Sequence, residues 1–233
     1  MPQDPVMLIT GASTGIGAAT ARRAVDAGHR VALAARSADK LEQLASELGG
    51  EERAIAVATD VADFAAQEQL VQRTLDAFGR LDVTFANAGF GAKRGFLEET
   101  PEQWREMVLT NVLGAAYTIR ATLPAIRDTA EQGHVLLTSS VAGRRALPGS
   151  LYSATKHAVT AMAEALRQEL RQAGDPIRVT SIEPGMTDTP FFSNRPTDAL
   201  QDDDIARAVL YAVQQPPHVD VNEMLIRPTA QSG

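Results

Sequence analysis

"VMLITGASTGIG" (residues 6–17) decides how the rest of the chain is read. Val6–Thr10 is a short apolar run of buried-strand type, and it ends in glycine. "IGAATARRAVDAG" (16–28) then reads as a helix stopped by Gly28. Between them Gly11, Gly15 and Gly17 are spaced G-x-x-x-G-x-G. Glycines at such a junction permit a tight turn. They also let the backbone approach a pyrophosphate at the helix N-terminus, where unpaired N–H groups and the helix dipole favour anions. A glycine trio alone is equally an ordinary turn; the strand–turn–helix context is what a nucleotide site requires.

The alternation continues outward. "RVALAA" (30–35) is a strand and "ADKLEQLASELGG" (38–50) a helix closed by Gly49 and Gly50. "RAIAVAT" (53–59) precedes a helix in which Leu70, Val71, Leu75 and Phe78 share a face. "LDVTFAN" (81–87) precedes a long helix starting after Pro101, and "HVLLTSS" (134–140) precedes the helix containing Tyr152. "IRVTSIEP" (177–184), a helix over 202–214 and "NEMLIR" (222–227) finish the pattern. Near-continuous apolar strands alternating with amphipathic helices predict a parallel sheet covered on both faces, with right-handed crossovers. The expectation is one α/β domain over residues 1–233, a doubly wound Rossmann-type sheet of about seven strands. No linker or low-complexity segment divides it.

Bulk properties narrow the function. Hydrophobic residues make up 44 % and charged residues 22 %, an ordinary globular balance. With no cysteine, disulfides and thiolate metal sites are excluded, and four scattered histidines offer no ligand cluster. A net charge of −7 without a basic cluster disfavours nucleic acid as a partner. The polar start Met1–Pro5 has no basic or apolar leader, and no run is long enough to span a bilayer. The expected location is cytoplasmic, with no membrane partner.

The spacing in "TGASTGIG" resembles the T-G-x-x-x-G-x-G of the short-chain dehydrogenase/reductase family. The resemblance extends over nearly the whole chain and implies a nicotinamide cofactor. Candidate contacts in the turn are Gly11, Ser13, Thr14, Gly15, Ile16 and Gly17. The second strand ends "ALAARS", placing Arg36 where an acidic residue would hold a ribose 2′-hydroxyl and an arginine accommodates a 2′-phosphate. NADP(H) is therefore expected rather than NAD(H), with Ser13 or Ser37 adding a hydroxyl. Asp60 and Val61 follow the third strand, where a family aspartate contacts adenine. Asn87, Ala88 and Gly89 end the fourth, and their small size permits close approach. Pro184, Gly185, Thr187 and Thr189 in "PGMTDT" resemble the family's P-G-x-x-x-T, whose backbone and threonine hold the nicotinamide amide.

"LYSATKHAV" (151–159) places Tyr152 and Lys156 four apart, on one helix face. A phenol titrating near 10 is a poor proton shuttle at neutral pH. Bringing it near 7 takes roughly 4 kcal/mol, whereas an exposed ion pair supplies only ~0–1 kcal/mol. A surface pair cannot do this; a dehydrated pair aided by the positive charge of oxidised nicotinamide can do more. Two hydroxyls close the preceding strand. Ser139 lies thirteen residues before Tyr152, the family's common spacing. Ser140-Val141-Ala142-Gly143 matches the family's local motif, which favours Ser140 with Ser139 in reserve. Asn111 falls on the apolar stripe Trp104, Met107, Val108, Val112 and Ala115, so its amide needs partners there. The partner could be a neighbouring backbone carbonyl; in the family this Asn relays protons through water to the lysine. The resemblance implies hydride transfer between NADP(H) and a carbonyl/secondary alcohol pair. In it Ser140 orients the oxygen, Tyr152 is the acid/base, Lys156 lowers the tyrosine pKa and holds the nicotinamide ribose, and Asn111 completes the set.

Segments 90–100 and 186–200 are expected to wall the substrate pocket, with Phe90, Phe191 and Phe192 giving apolar surface. Lys93, Arg94, Arg144 and Arg145 are candidates for a substrate carboxylate, or simply solvated charge. The tail "QQPPHVDVNEMLIRPTAQ" (214–231) resembles a bacterial subgroup of NADP-dependent dehydrogenases acting on 3-hydroxy acids and short hydroxy amino acids. The Ala-rich helix over 154–170 could pack on a copy of itself, and family members are usually dimers or tetramers, so a homo-oligomer is expected. The competing reading is a catalytically silent NADP(H)-binding regulatory protein on the same fold.

Overall fold

Alternate residues of the first strand face opposite ways, and both sets are buried. Val6 and Leu8 join one apolar core, Met7 and Ile9 the other. That two-sided burial requires helices on both faces. A computed structural model describes residues 4–91, 95–189 and 197–231. Its strands are β1 (Val6–Thr10), β2 (Arg30–Ala35), β3 (Ala54–Ala58), β4 (Val83–Ala86), β5 (His134–Thr138), β6 (Arg178–Pro184), β7 (Thr187–Asp188), β8 (Leu200–Gln201) and β9 (Glu223–Ile226). Seven form one parallel sheet in the order β3-β2-β1-β4-β5-β6-β9. β7 and β8 make a separate two-stranded parallel pair that strand periodicity over so few residues does not announce.

The helices are α1 (Gly15–Asp26), α2 (Ala38–Glu47), α3 (Phe64–Phe78), α4 (Pro101–Val108), α5 (Gly114–Thr129), α6 (Tyr152–Gln172) and α7 (Asp202–Val213). Their ends follow local chemistry. Asp63 caps α3 by accepting Ala65 N–H at 2.9 Å, and Gly79 closes it in the left-handed conformation. Thr100 and Gln103 form a reciprocal box around Pro101 at the start of α4. One core lies beneath α3, α5 and α6, with Leu70, Phe78, Ile126 and Leu166; the other lies beneath α1, α2 and α7, with Ala21, Leu41, Leu44 and Val209.

The long helix expected after Pro101 is interrupted. Residues Leu109–Leu113 form a π turn joining α4 to α5. The wider turn advances the phase, so the expected apolar stripe does not run straight. Met107 and Ala115 are buried and Val108 is 37 % exposed. Asn111, in the π turn itself, is buried. The order of the sheet reverses between β1 and β4, and in such folds a crevice opens there beyond the carboxyl ends of the strands.

Candidate active site

A cleft of about 640 Å³ opens at the carboxyl ends of β1, β4, β5 and β6. Its floor on one side is the turn from β1 into α1. Gly11 and Gly15 both adopt left-handed backbone, with φ of +67° and +56°. A Cβ on Gly11 would lie 2.9 Å from Ala88 Cα. One on Gly17 would overlap the Gly11 carbonyl oxygen and lie 2.9 Å from Asn87 Nδ2. The turn therefore closes only with glycine at these places. Thr14 precedes α1 in extended backbone without a side-chain cap, and the first turn carries no acid. The N-terminal N–H groups of a twelve-residue helix thus face the cleft beside Thr14, Gly15 and Ile16. Arg36 also lines the cleft, exposed and without a hydrogen bond or ion pair among the described residues. An anion cradle with a free guanidinium in the same cleft fits the phosphates of a dinucleotide.

The structure separates the other nucleotide-side candidates. Ala88, Gly89, Pro184, Gly185, Thr187 and Thr189 line the cleft. Asn87 lines it too, but its amide is committed within the protein. It donates to the Thr10 carbonyl at 3.1 Å and accepts from Thr138 Oγ1 at 3.0 Å, tying the ends of β1, β4 and β5. Asp60, Val61, Ser13 and Ser37 do not line the cleft. The Asp60 carboxylate accepts Ala62 N–H at 3.0 Å in its own turn. Val61 turns inward, where a Cβ on Gly114 would meet it at 2.7 Å. Ser37 sits exposed at the start of α2.

Across the cleft, α6 begins at Tyr152. The first hydroxyl of the preceding segment, Ser139, points into the protein. It donates to the Lys156 carbonyl at 2.9 Å and pairs with Thr160 Oγ1 at 2.7 Å. Ser140 accepts Ala142 N–H at 3.1 Å and hydrogen-bonds the Tyr152 phenol. The two serines thus face opposite ways. Lys156 is 4 % exposed, and its ammonium donates to the Thr138 carbonyl at 2.7 Å. It stands 5.8 Å from the centre of the Tyr152 ring. Burial pushes the Lys156 pKa down to about 8. Burial pushes the Tyr152 phenol up to about 12, with the Ser140 hydroxyl opposing that rise. The sequence expects a dehydrated lysine and the cofactor's positive charge to lower the phenol's pKa together; in the protein by itself Nζ is turned toward Thr138 and loss of water dominates the tyrosine.

Asn111 is 1 % exposed and stands behind the cleft wall, satisfied by protein groups. Its Oδ1 accepts Phe90 N–H at 3.0 Å, and its Nδ2 donates to the Phe90 carbonyl at 2.9 Å and to Thr155 Oγ1 at 3.2 Å. The backbone partner is the one the sequence left open. A Cβ on Gly89 would lie 3.1 Å from Asn111 Oδ1 and 3.5 Å from Lys156 Nζ, so both converge beneath that residue.

Phe90, Leu147, Pro148 and Met186 also line the cleft. Arg144 is not free for a carboxylate. Its guanidinium pairs with the fully buried Glu183 and with Glu223, which raise its pKa. Arg145 is exposed and outside the cleft lining. Lys93, Arg94, Phe191 and Phe192 lie outside the described residues. Two features escaped the sequence reading: the Thr138 carbonyl that holds Lys156, and Gln231, which reaches the cleft from the end of the chain. Neither a backbone carbonyl nor a tail glutamine carries a local signal. Among the described residues no group of three or more His, Cys, Asp or Glu could hold a metal, and no helix is long and apolar enough to cross a membrane.

Known proteins resemble this one in sequence and shape. The family model for short chain dehydrogenase matches residues 5–200. An uncharacterized oxidoreductase of Staphylococcus saprophyticus is 38 % identical over 233 residues, covering 97 % of this chain and 98 % of its own. The structure of an alcohol dehydrogenase from the archaeon Thermococcus sibiricus, complexed with 5-hydroxy-NADP, superposes with a TM-score of 0.89 at 32 % identity, covering 98 % of each chain. A serine dehydrogenase of Escherichia coli superposes with a TM-score of 0.85 at 31 % identity, covering 98 % of this chain and 100 % of its own. Similar solved structures hold NAD-type and NADP-type cofactors alike. The match along most of the chain, joined to the sheet order and the cleft it creates, places this chain in the short-chain dehydrogenase/reductase family of oxidoreductases.

Proposed function

We propose that the protein transfers a hydride between NADP(H) and a carbonyl/secondary alcohol pair. The observation that carries the reading is the Ser140–Tyr152 hydrogen bond at the cleft, with the Lys156 ammonium buried behind it and the glycine turn opposite. The nicotinamide, when bound, supplies or takes up the hydride. Gly11, Thr14, Gly15, Ile16 and Arg36 would hold its phosphates, and Ala88, Gly89 and Pro184–Thr189 its nicotinamide end. Arg36, with no acid in its place, supports NADP(H) over NAD(H).

Ser140 binds and orients the substrate oxygen. The Tyr152 phenol, protonated at neutral pH, gives its proton to that oxygen as it becomes an alkoxide, a stronger base than phenolate. The Lys156 ammonium stabilises the tyrosinate left behind. In the oxidative direction the same proton returns to Tyr152. Asn111 holds Gly89 and Phe90 in place beside Lys156. Small ketones or 3-hydroxy acids suit a pocket walled by Phe90, Leu147 and Met186, and the similar serine dehydrogenase supports the second class. Exposed Val108 and Leu113, and the exposed small residues Ala161 and Ala165 of α6, support a homo-oligomer, dimer or tetramer, which light scattering decides.

The test is a panel of aldehydes, ketones and 3-hydroxy acids followed by NADPH absorbance, with Tyr152→Phe alongside. Turnover by the wild type and loss of it in the variant are expected; full turnover in the variant overturns the mechanism. Comparing kcat/KM for the two cofactors tests the second part. A preference for NAD(H) that Arg36→Ala leaves unchanged removes Arg36 from the cofactor site.

A further inference from the structure

The end of the chain returns to the cleft. β9 runs parallel to β6 with Ile226 level with Pro184. The segment after β9 then folds back, Gln231 N–H donating to the Pro228 carbonyl at 3.0 Å. This aims the Gln231 side chain at the turn that follows β6. Gln231 Oε1 accepts Met186 N–H at 3.0 Å. The neighbouring Gly185 N–H donates to the Ile226 carbonyl at 2.7 Å. Two successive amides of the Pro184–Thr187 turn are therefore satisfied by the C-terminal segment, one by backbone and one by a side chain. Contact is so close that a Cβ on Gly185 would overlap Gln231 Oε1 and lie 3.2 Å from Arg227 Cα. The absence of a side chain at Gly185 is thus demanded by the tail. The other face of the turn meets the site, where Ser140 Oγ donates to the Pro184 carbonyl at 3.4 Å.

We infer that Gln231 is a positioning residue for the cofactor, acting through the Met186 amide to hold the turn against the nicotinamide end of the cleft. This rests on the reading of the cleft as an NADP(H) site. Met186 N–H makes no other hydrogen bond among the described residues. Losing one such hydrogen bond corresponds to about a two- to tenfold loss of affinity.

The experiment uses the full chain and three proteins: wild type, Gln231→Met, which keeps the length and removes the acceptor, and Gln231→Glu, which keeps an acceptor oxygen. Binding of NADPH is titrated by its fluorescence at raised ionic strength, and Tm is measured without cofactor. The expected result is a Kd about two- to tenfold higher for Gln231→Met, with most of the loss recovered in Gln231→Glu, and a matching rise in KM for NADPH larger than any fall in kcat. A lower Tm with unchanged Kd gives Gln231 a purely structural role and overturns the inference. Equal weakening in both variants overturns it too, because the acceptor would then be irrelevant. Failure of the wild type to bind NADPH overturns the underlying reading and this inference together, whereas wild-type binding that Gln231→Met leaves unchanged overturns this inference alone.

Discussion

Lys156→Met removes a cation that folding strips of water, and it is expected to change how stability depends on pH. In the folded protein the ammonium is 4 % exposed and its pKa falls from the ordinary 10.5 to about 8. At 1.36 kcal/mol per pH unit, that fall corresponds to about 3 kcal/mol. The direction follows from proton counting. Below pH 8 both folded and unfolded chains hold the proton, and the fold bears the full cost. Between pH 8 and 10.5 the unfolded chain still holds it while the folded chain does not, so stability from this residue rises with pH. Met fills a similar volume and does not titrate, so the loss of the Thr138 contact enters mainly as an offset that varies little with pH. The unfolding free energy of the wild type minus that of Lys156→Met is therefore expected to climb by about 2–3 kcal/mol between pH 7 and pH 10. Urea unfolding at pH 7, 8, 9 and 10 measures it. A difference that stays within about 0.5 kcal/mol across that range would refute the claim that the ammonium is held dehydrated. The same variant is expected to lose turnover, so a gain in stability near neutral pH would accompany loss of function.

Four further outcomes are expected. Ser140→Ala should lower kcat about 10²–10³-fold, as loss of one donor to a developing oxyanion does. Ser139→Ala should instead cost about 1–3 kcal/mol of stability through the two internal bonds it makes, with smaller kinetic effect; the reverse pattern would exchange their roles. Arg144→Ala strands the buried Glu183 carboxylate and should destabilise by about 3 kcal/mol in urea unfolding. Adding Glu183→Gln should recover part of that loss, and no recovery would show that the stranded charge is not the cause. Gly17→Ala pushes a methyl into the Gly11 carbonyl and should weaken NADPH binding by at least about tenfold by calorimetry; unchanged affinity would remove the turn from the cofactor site.

Much of the architecture was legible because burial on both sides of a parallel sheet writes itself into every strand. Met7 and Leu8 are both apolar since each faces a helix layer, and the glycine turn must follow β1 because Gly17 has no room for a side chain. The serines were legible only locally. A count to Tyr152 favours Ser139, while the motif with Gly143 favours Ser140, and the structure turns Ser140 to the phenol and Ser139 to the helix backbone. What was not legible depends on groups far apart in the chain. Arg144 looks free until β6 and β9 bring Glu183 and Glu223 beside it. Val108 looks buried until the π turn shifts the phase of its helix. At the tyrosine a neighbouring lysine suggests attraction, and burial acts in the opposite direction.

The π turn at Leu109–Leu113 has a consequence for changes in chain length. It amounts to one residue inserted into an otherwise continuous helix. The wide turn absorbs that residue, so a further one inserted there would rotate one half of the helix against the other by about 100° and push them apart by about 1.5 Å. The downstream half cannot turn, since Gln67 donates to the Gly114 carbonyl at 3.0 Å and Val61 lies against Gly114. The rotation would fall on Trp104 and Met107, and Asn111 would leave the Phe90 backbone. Point substitutions around the turn act one side chain at a time, but a further inserted residue re-aims a whole helix, so engineering of this segment should conserve residue number before residue identity.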